Sequence, residues 1–136
     1  MKILYTAVAT ATGREGKAAT SDGKLEVTLA PPAEMGGSGE GTNPEQLFAT
    51  GYAACFASAL GAVGRRQKVD TAEASVTAEV GIGPDGKGGF ALAAKLRVTI
   101  PGVDREAGQQ LVEAAHQVCP YSNATRGNID VELELV

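Results

Sequence analysis

The sequence predicts an α+β fold in which antiparallel sheets surround a long central helix. Three observations lead to it. Residues 71–82 and 90–100 alternate apolar and polar side chains almost without fault, the signature of half-buried strands. Residues 43–66 open with helix-start residues and carry no charge between Gln46 and Gly64. Residues 104–118 place Ala107, Leu111, Ala115 and Val118 at helical intervals. At 136 residues the chain is expected to form one domain, 1–136, able to bury a core without disulfide staples.

Taken from the N-terminus, residues 2–11 alternate and read as a strand, as do residues 24–30, where Leu25, Val27 and Leu29 share one face. Asp22-Gly23 marks a hairpin turn before the second strand. The stretch 31–42, with Pro31, Pro32 and four glycines, is a loop acting as linker or lid. The central helix then starts at Asn43 as N-cap, Pro44 in the first helical position and Gln46 in the third, a capping box.

Along this helix Leu47, Gly51, Ala54, Ser58 and Ala62 form a stripe of mostly small residues, which predicts a tightly packed neighbour helix. Its length formally admits a membrane span, but Ala, Gly, Ser and Thr dominate it, and a buried helix fits better. The turn GPDGKGG joins the two alternating strands into a long hairpin. The second helix stops before Pro120, because proline disfavours helical geometry in the residue before it. PYSNATRG is a short turn of helix or loop, and NIDVELELV a last strand with Ile129, Val131, Leu133 and Leu135 on its apolar face.

The formal net charge of −4, with Lys and Arg scattered, offers no basic stripe for a phosphate backbone, so nucleic acid is not an expected partner. The N-terminus lacks the apolar block and processing end of a secretory signal. The expected location is the cytoplasm, without membrane attachment. There a cysteine pair is more often catalytic, redox-sensing or metal-binding than structural.

The two cysteines differ in setting. Cys55 lies mid-helix among Ala53, Ala54, Phe56 and Ala57, where a thiol is inert packing unless a cation lies near it. Arg14, in the glycine-flanked turn TGREGK, is the candidate cation, and Glu45, on the first turn of the cysteine helix, could hold it through a bidentate pair. Each has an ordinary alternative, Arg14 as a solvated turn residue and Glu45 as a first-turn acid favoured by the helix dipole. Cys119, before Pro120, can cap the short following turn, where backbone N–H groups favour a thiolate suited to thiol exchange. Metal binding is the rival use of Cys55, His116 and Cys119, but a structural zinc site normally draws on four Cys or His residues and the chain has three.

The segments LYTAVATATGREGKAATSDGKLEVTLA, GTNPEQLFATGYAACFASAL and VCPYSNATRGNIDVELEL together resemble the organic hydroperoxide resistance branch of the OsmC/Ohr superfamily, over nearly the whole chain. The resemblance implies a thiol peroxidase that reduces alkyl and fatty-acid hydroperoxides. Cys55 of the AACF segment matches the peroxidatic cysteine, Cys119 of VCPYS the resolving cysteine, Arg14 the arginine of the N-terminal turn and Glu45 the glutamate of NPEQL. It further implies a Cys55–Cys119 disulfide, no metal or organic cofactor, and re-reduction by dihydrolipoamide or a lipoylated protein. Phe48, Phe56, Met35 and Tyr121 are then candidate walls for a greasy substrate, or otherwise ordinary core. One departure is visible: TGREG stands where the family usually has an additional glycine before the arginine.

The family forms intertwined homodimers, which would suit the small-residue stripe. On a straight helix Glu45 and Cys55 lie about 15 Å apart along the axis and roughly 80° apart around it. The Arg14–Glu45 pair completing each site is therefore expected from a neighbouring subunit, unless the helix kinks near Gly51. Two other functional classes stay open: a redox-sensing disulfide protein without turnover, and a noncatalytic small-molecule binding module in which Cys55 is packing.

Overall fold

The computed structural model describes all residues from Met1 to Val136. Its contacts gather into two compact units, Met1–Leu47 and Phe48–Val136, each with its own sheet.

In the first unit, β1 (Ala9–Ala11), β2 (Gly16–Thr20) and β3 (Glu26–Leu29) form an antiparallel sheet in that order. The expected strand 2–11 is thus confined to its last three residues. β2 ends at Thr20, and the chain turns at Asp22, whose carboxylate accepts from the Lys24 N–H and the Thr20 hydroxyl. Residues 2–7 therefore extend past the end of their neighbour, leaving Ile3, Leu4 and Tyr5 exposed. β2 itself was not predicted, because Gly16, Lys17 and the alanines after it carry little strand propensity.

The glycine-rich stretch folds back on β3 after a 3₁₀ turn, Ala33–Met35. Thr42 exchanges backbone hydrogen bonds with this strand, Ala30 N–H to Thr42 O and Thr42 N–H to Thr28 O, each 2.9 Å. Gly41 makes this approach possible, since a Cβ there would stand 2.6 Å from Thr28 O and 2.8 Å from Ala30 N. The helix start beyond it is fixed by the expected cap, Asn43 Oδ1 accepting from the Gln46 N–H at 2.9 Å, while Gln46 Oε1 accepts from the Thr42 hydroxyl at 2.6 Å.

That helix, α1 (Pro44–Gln67), runs without interruption past Gly51 into the second unit. There β4 (Ser75–Pro84) and β5 (Phe90–Thr99) form the long antiparallel hairpin, closed by Asp85, whose carboxylate accepts from the N–H groups of Lys87 and Gly89. β6 (Val131–Leu135) joins the other side of β5 in parallel, so this sheet is mixed where only antiparallel pairing was expected. α2 (Arg105–Val118) begins at Asp104, which accepts from the Ala107 N–H, and α3 (Pro120–Thr125) follows at once.

The core of this unit joins Tyr52, Phe56, Ala59, Leu60 and Val63 of α1 to Leu96 and Val98 of β5 and Leu111, Val112 and Ala115 of α2. Full burial of side chains such as Phe56, Leu96 or Leu111 contributes roughly 1.5–3 kcal/mol each. Although α1 is long and apolar enough to cross a membrane by composition, these packed side chains mark it as a core helix. Two expectations are corrected. Val118 is exposed rather than on the buried face of α2, and Ala54 and Ser58 of the small-residue stripe are exposed, with no helix packed over them in the chain.

Because Gly41 meets backbone rather than a flexible side chain, Gly41→Ala is expected to destabilise the fold by about 1–3 kcal/mol. Urea titration should show a lower midpoint at unchanged slope; an unshifted midpoint would mean that the Thr42–β3 contact relaxes without cost.

Candidate active site

In the first unit the β1–β2 turn presents Arg14 between Gly13 and Gly16, both at positive φ (148° and 88°). The guanidinium forms a forked pair with Glu45 on the first turn of α1: Nη1 donates to Oε2 at 3.0 Å and Nη2 to Oε1 at 2.7 Å. Glu45 is the more buried partner, its side chain 12% exposed against 40% for Arg14. The hydrogen bonds from Arg14 hold the Glu45 carboxyl below the usual range, and Glu45 in turn raises the Arg14 pKa. The turn that lacks the family's additional glycine therefore still delivers Arg14 to Glu45.

In the second unit Cys55, on α1, and Cys119, at the α2–α3 corner, are free thiols with their sulfurs 3.5 Å apart. Cys119 is fully buried and Cys55 half-buried. Pro120 causes this arrangement. It ends α2, occupies the first position of α3, and leaves Cys119 extended between them at φ −66°, ψ 123°. Cys119 is the N-cap residue of α3, as expected, but its side chain makes no capping bond and turns to Cys55 instead.

Three influences act on the Cys55 thiol. Burial pushes its pKa up, the Tyr121 backbone N–H pulls it down by bonding the sulfur, and the neighbouring Cys119 raises it again. The net direction is upward. Within this unit Tyr121 N–H is thus the group that favours thiolate.

Three aromatic side chains of α1 and α3 cluster together. Phe48, Tyr52 and Tyr121 pack mutually with ring centroids 5.6–6.1 Å apart. Gly51 lets Tyr121 settle on α1, since a Cβ there would stand 2.6 Å from the tyrosine hydroxyl. The close approach expected at Gly51 is present, but it is made by the Tyr121 side chain of the short α3 rather than by the backbone of another helix.

Of the four expected wall residues, Tyr121 bonds the Cys55 sulfur through its backbone N–H, and Phe48 packs against the Tyr121 ring. Phe56 does not line an opening, because its side chain is fully buried in the core, and Met35 is a half-exposed residue of the first unit's 3₁₀ turn. Phe48 also borders an open cavity of about 450 Å³ with Phe90, Leu92, Asn128 and Ile129. The latter four were not foreseen, since their alternation reads as strand or loop.

Also unforeseen is a buried polar cluster behind the corner. Tyr52 Oη lies 2.9 Å from Ser122 Oγ and 3.1 Å from Thr125 Oγ1, and His116 Nδ1 lies 2.9 Å from Ser122 Oγ. The only sequence signal was a tyrosine one turn before Cys55, in a stretch, residues 47–64, otherwise made of small and apolar residues.

Two free thiols facing each other from a core helix and a helix corner define a dithiol protein on an α+β scaffold. Residues 37–134 match the family described as OsmC-like protein, and the chain belongs to this family, in its organic hydroperoxide resistance branch. It is 57% identical over 137 aligned positions to the organic hydroperoxide resistance protein of Xanthomonas axonopodis pv. citri (strain 306), covering 98% of this chain and 96% of that one. Among solved structures, an organic hydroperoxide resistance protein from Elizabethkingia anophelis superposes with a TM-score of 0.94 at 53% identity, covering 99% and 98% of the two chains. The OhrB protein of Bacillus subtilis gives a TM-score of 0.89 at 44% identity, covering 98% and 100%.

The Arg14–Glu45 pair sets a pH dependence. Glu45 is depressed in the folded state, so its contribution is complete above the ordinary carboxylate pKa of about 4 and is lost as pH falls through the lower folded value. Exposure of Arg14 limits it to about 1 kcal/mol or less. Urea unfolding at a series of pH values should show Glu45→Gln less stable than the parent near pH 7 and equal to it near about pH 2. A gap that persists unchanged in acid would trace to packing instead.

Proposed function

We propose that the protein reduces organic hydroperoxides to alcohols through Cys55, with Cys119 as the resolving thiol. The homologues support a role in organic hydroperoxide resistance. The observation that carries the finer reading is the facing thiol pair, 3.5 Å apart in an apolar setting. The Cys55 thiolate attacks the distal peroxide oxygen; the O–O bond breaks, the alkoxide leaves and takes a proton to become the alcohol, and Cys55 is left as sulfenic acid. The Cys119 thiol then attacks that sulfur, forming the disulfide and releasing water. A dithiol of the dihydrolipoyl type returns both thiols by exchange and is itself oxidised to a disulfide. Apolar walls at Phe48, Phe90, Leu92 and Ile129 suit an alkyl or fatty-acid chain.

Activation of Cys55 needs more than the Tyr121 N–H, because burial raises its pKa. Arg14, oriented by Glu45, is the group we assign to this task. α1 is continuous from Glu45 to Cys55, and about 1.5 Å of rise per residue separates them by about 15 Å along it. We therefore assign the Arg14–Glu45 pair of each site to the other subunit of a homodimer. The exposed Ile3, Leu4 and Tyr5 and the exposed Ala54 and Ser58 support such pairing. We read the compartment as the cytoplasm, where thiols stay reduced.

Cys55→Ser is expected to abolish hydroperoxide reduction, whereas Cys119→Ser should consume one equivalent and stop, with a sulfenic acid trapped on Cys55. Mass spectrometry after a single addition of tert-butyl hydroperoxide reads this directly; equal loss of the first oxidation in both variants would overturn the division of roles. Without turnover in excess peroxide and dithiol, the redox-sensor reading would replace this one.

Mixing Cys55→Ser subunits with Glu45→Ala subunits should restore activity, because one site in each heterodimer then receives an intact Cys55 and an intact Glu45 from different chains. No recovery in isolated heterodimers would point to a site built within one chain.

A further inference from the structure

The polar cluster behind the thiol pair has a determined direction. Thr125 Oγ1 lies 3.2 Å from the Ser122 carbonyl, which can only accept, so the threonine proton is committed there. Tyr52 must then donate to Thr125 Oγ1, and with its one proton used, Ser122 must donate to Tyr52 Oη. Ser122 in turn has no proton left for His116, so Nδ1 of the histidine is the donor. All contacts are satisfied together only with Nδ1 protonated. Tyr52 and Ser122 are fully buried and Thr125 nearly so, so water offers no substitute partner.

The chain also has a significant placement. Tyr52 lies one helical turn before Cys55 on α1, His116 one turn before Cys119 on α2, and Ser122 three residues after it on α3. The bonds therefore tie both arms of the Cys119 corner to the helix that carries Cys55. Arg126 reinforces the corner, donating to the His116 carbonyl at 2.6 Å and to Asn123 Oδ1 at 2.9 Å. A disulfide requires about 2.05 Å between sulfurs, so the thiols at 3.5 Å must still close by roughly 1.5 Å. How firmly the corner is held decides how easily they meet.

We infer that His116, Ser122, Tyr52 and Thr125 form a positioning chain for the Cys55–Cys119 disulfide, with His116 as its obligatory Nδ1–H donor. The inference rests on the disulfide cycle proposed above and adds residues to it. Burial, and next the positive charge of Arg126, lower the His116 pKa, against an opposing pull from Glu113. The neutral ring then carries its proton on Nδ1, and the imidazolium would donate from the same atom.

The test is the equilibrium of the full-length protein with dithiothreitol. Cys55 and Cys119 give two electrons and two protons to the oxidised reagent as their S–S bond forms, and alkylation with mass spectrometry counts the disulfide. His116→Leu fills the ring's volume without a donor, and should shift the equilibrium about tenfold toward the dithiol, as should Tyr52→Phe. His116→Asn places an amide N–H where Nδ1 stands and should remain within about threefold of the parent. His116→Gln, whose amide reaches one bond further, should behave like the leucine variant. Packing alone predicts the opposite order, with Leu above Asn.

An unshifted His116→Leu, or Asn and Gln equally impaired, would overturn the inference. No peroxide enters this equilibrium. A chain that fails to reduce hydroperoxides yet shows the Asn–Gln difference keeps the inference and loses the peroxidase reading, and a peroxidase without the difference does the reverse.

Discussion

The dithiol site depends on one constraint, the change of direction at Cys119-Pro120. Proline lacks the N–H that would continue α2 and clashes with helical geometry in the residue before it, so Cys119 is forced into extended backbone between two helices. The Cys119 N–H still bonds Ala115 O and its carbonyl accepts from the Asn123 N–H, both at 2.9 Å. The corner thus leaves neither backbone group unpaired, although the residue is fully buried. With the backbone satisfied at both ends, the side chain is directed to Cys55. The same corner sends the Tyr121 N–H to the Cys55 sulfur and the Tyr121 ring onto Gly51.

Local chemistry explains how much of this was legible. Asn43-Pro44 and Asp104 are caps whose oxygens reach N–H groups three residues on, so sequence alone locates both helix starts. The 75–99 hairpin was legible because alternation of period two is itself the burial pattern, Val76, Ala78 and Val80 inward against exposed Thr77 and Glu79. Residues 2–8 carry the same alternation and form no strand, since alternation reports which face would be buried and not whether a partner strand is there. β6 repeats the lesson: its pattern gave the strand, while its parallel alignment with β5 follows from the path of α2 and α3 between them.

The candidate site divides along the same line. Arg14 and Glu45 were paired from charge and turn chemistry, and the fork between them is the geometry those residue types favour. Tyr52 with Ser122 and Thr125 was out of reach, because these contacts span about seventy residues and a hydroxyl carries no periodic signal. Phe56 misled for a related reason: adjacency to Cys55 in sequence puts it about 100° around the helix, on the core side.

The forked pair also limits how Arg14 can act on any anion. Bound to a carboxylate, the guanidinium belongs to a pair with no net charge, so its field falls off faster than that of a lone cation. The fork uses two of its five N–H donors and leaves three. What such an arginine offers a thiolate is directional hydrogen bonding at contact distance, not long-range attraction. The arginine is held on both sides, by a turn with glycines at positive φ and by a carboxylate on a capped helix end, which fixes the direction of those remaining donors. A lysine at position 14 would keep the charge but lose the planar fork that fixes the remaining donors.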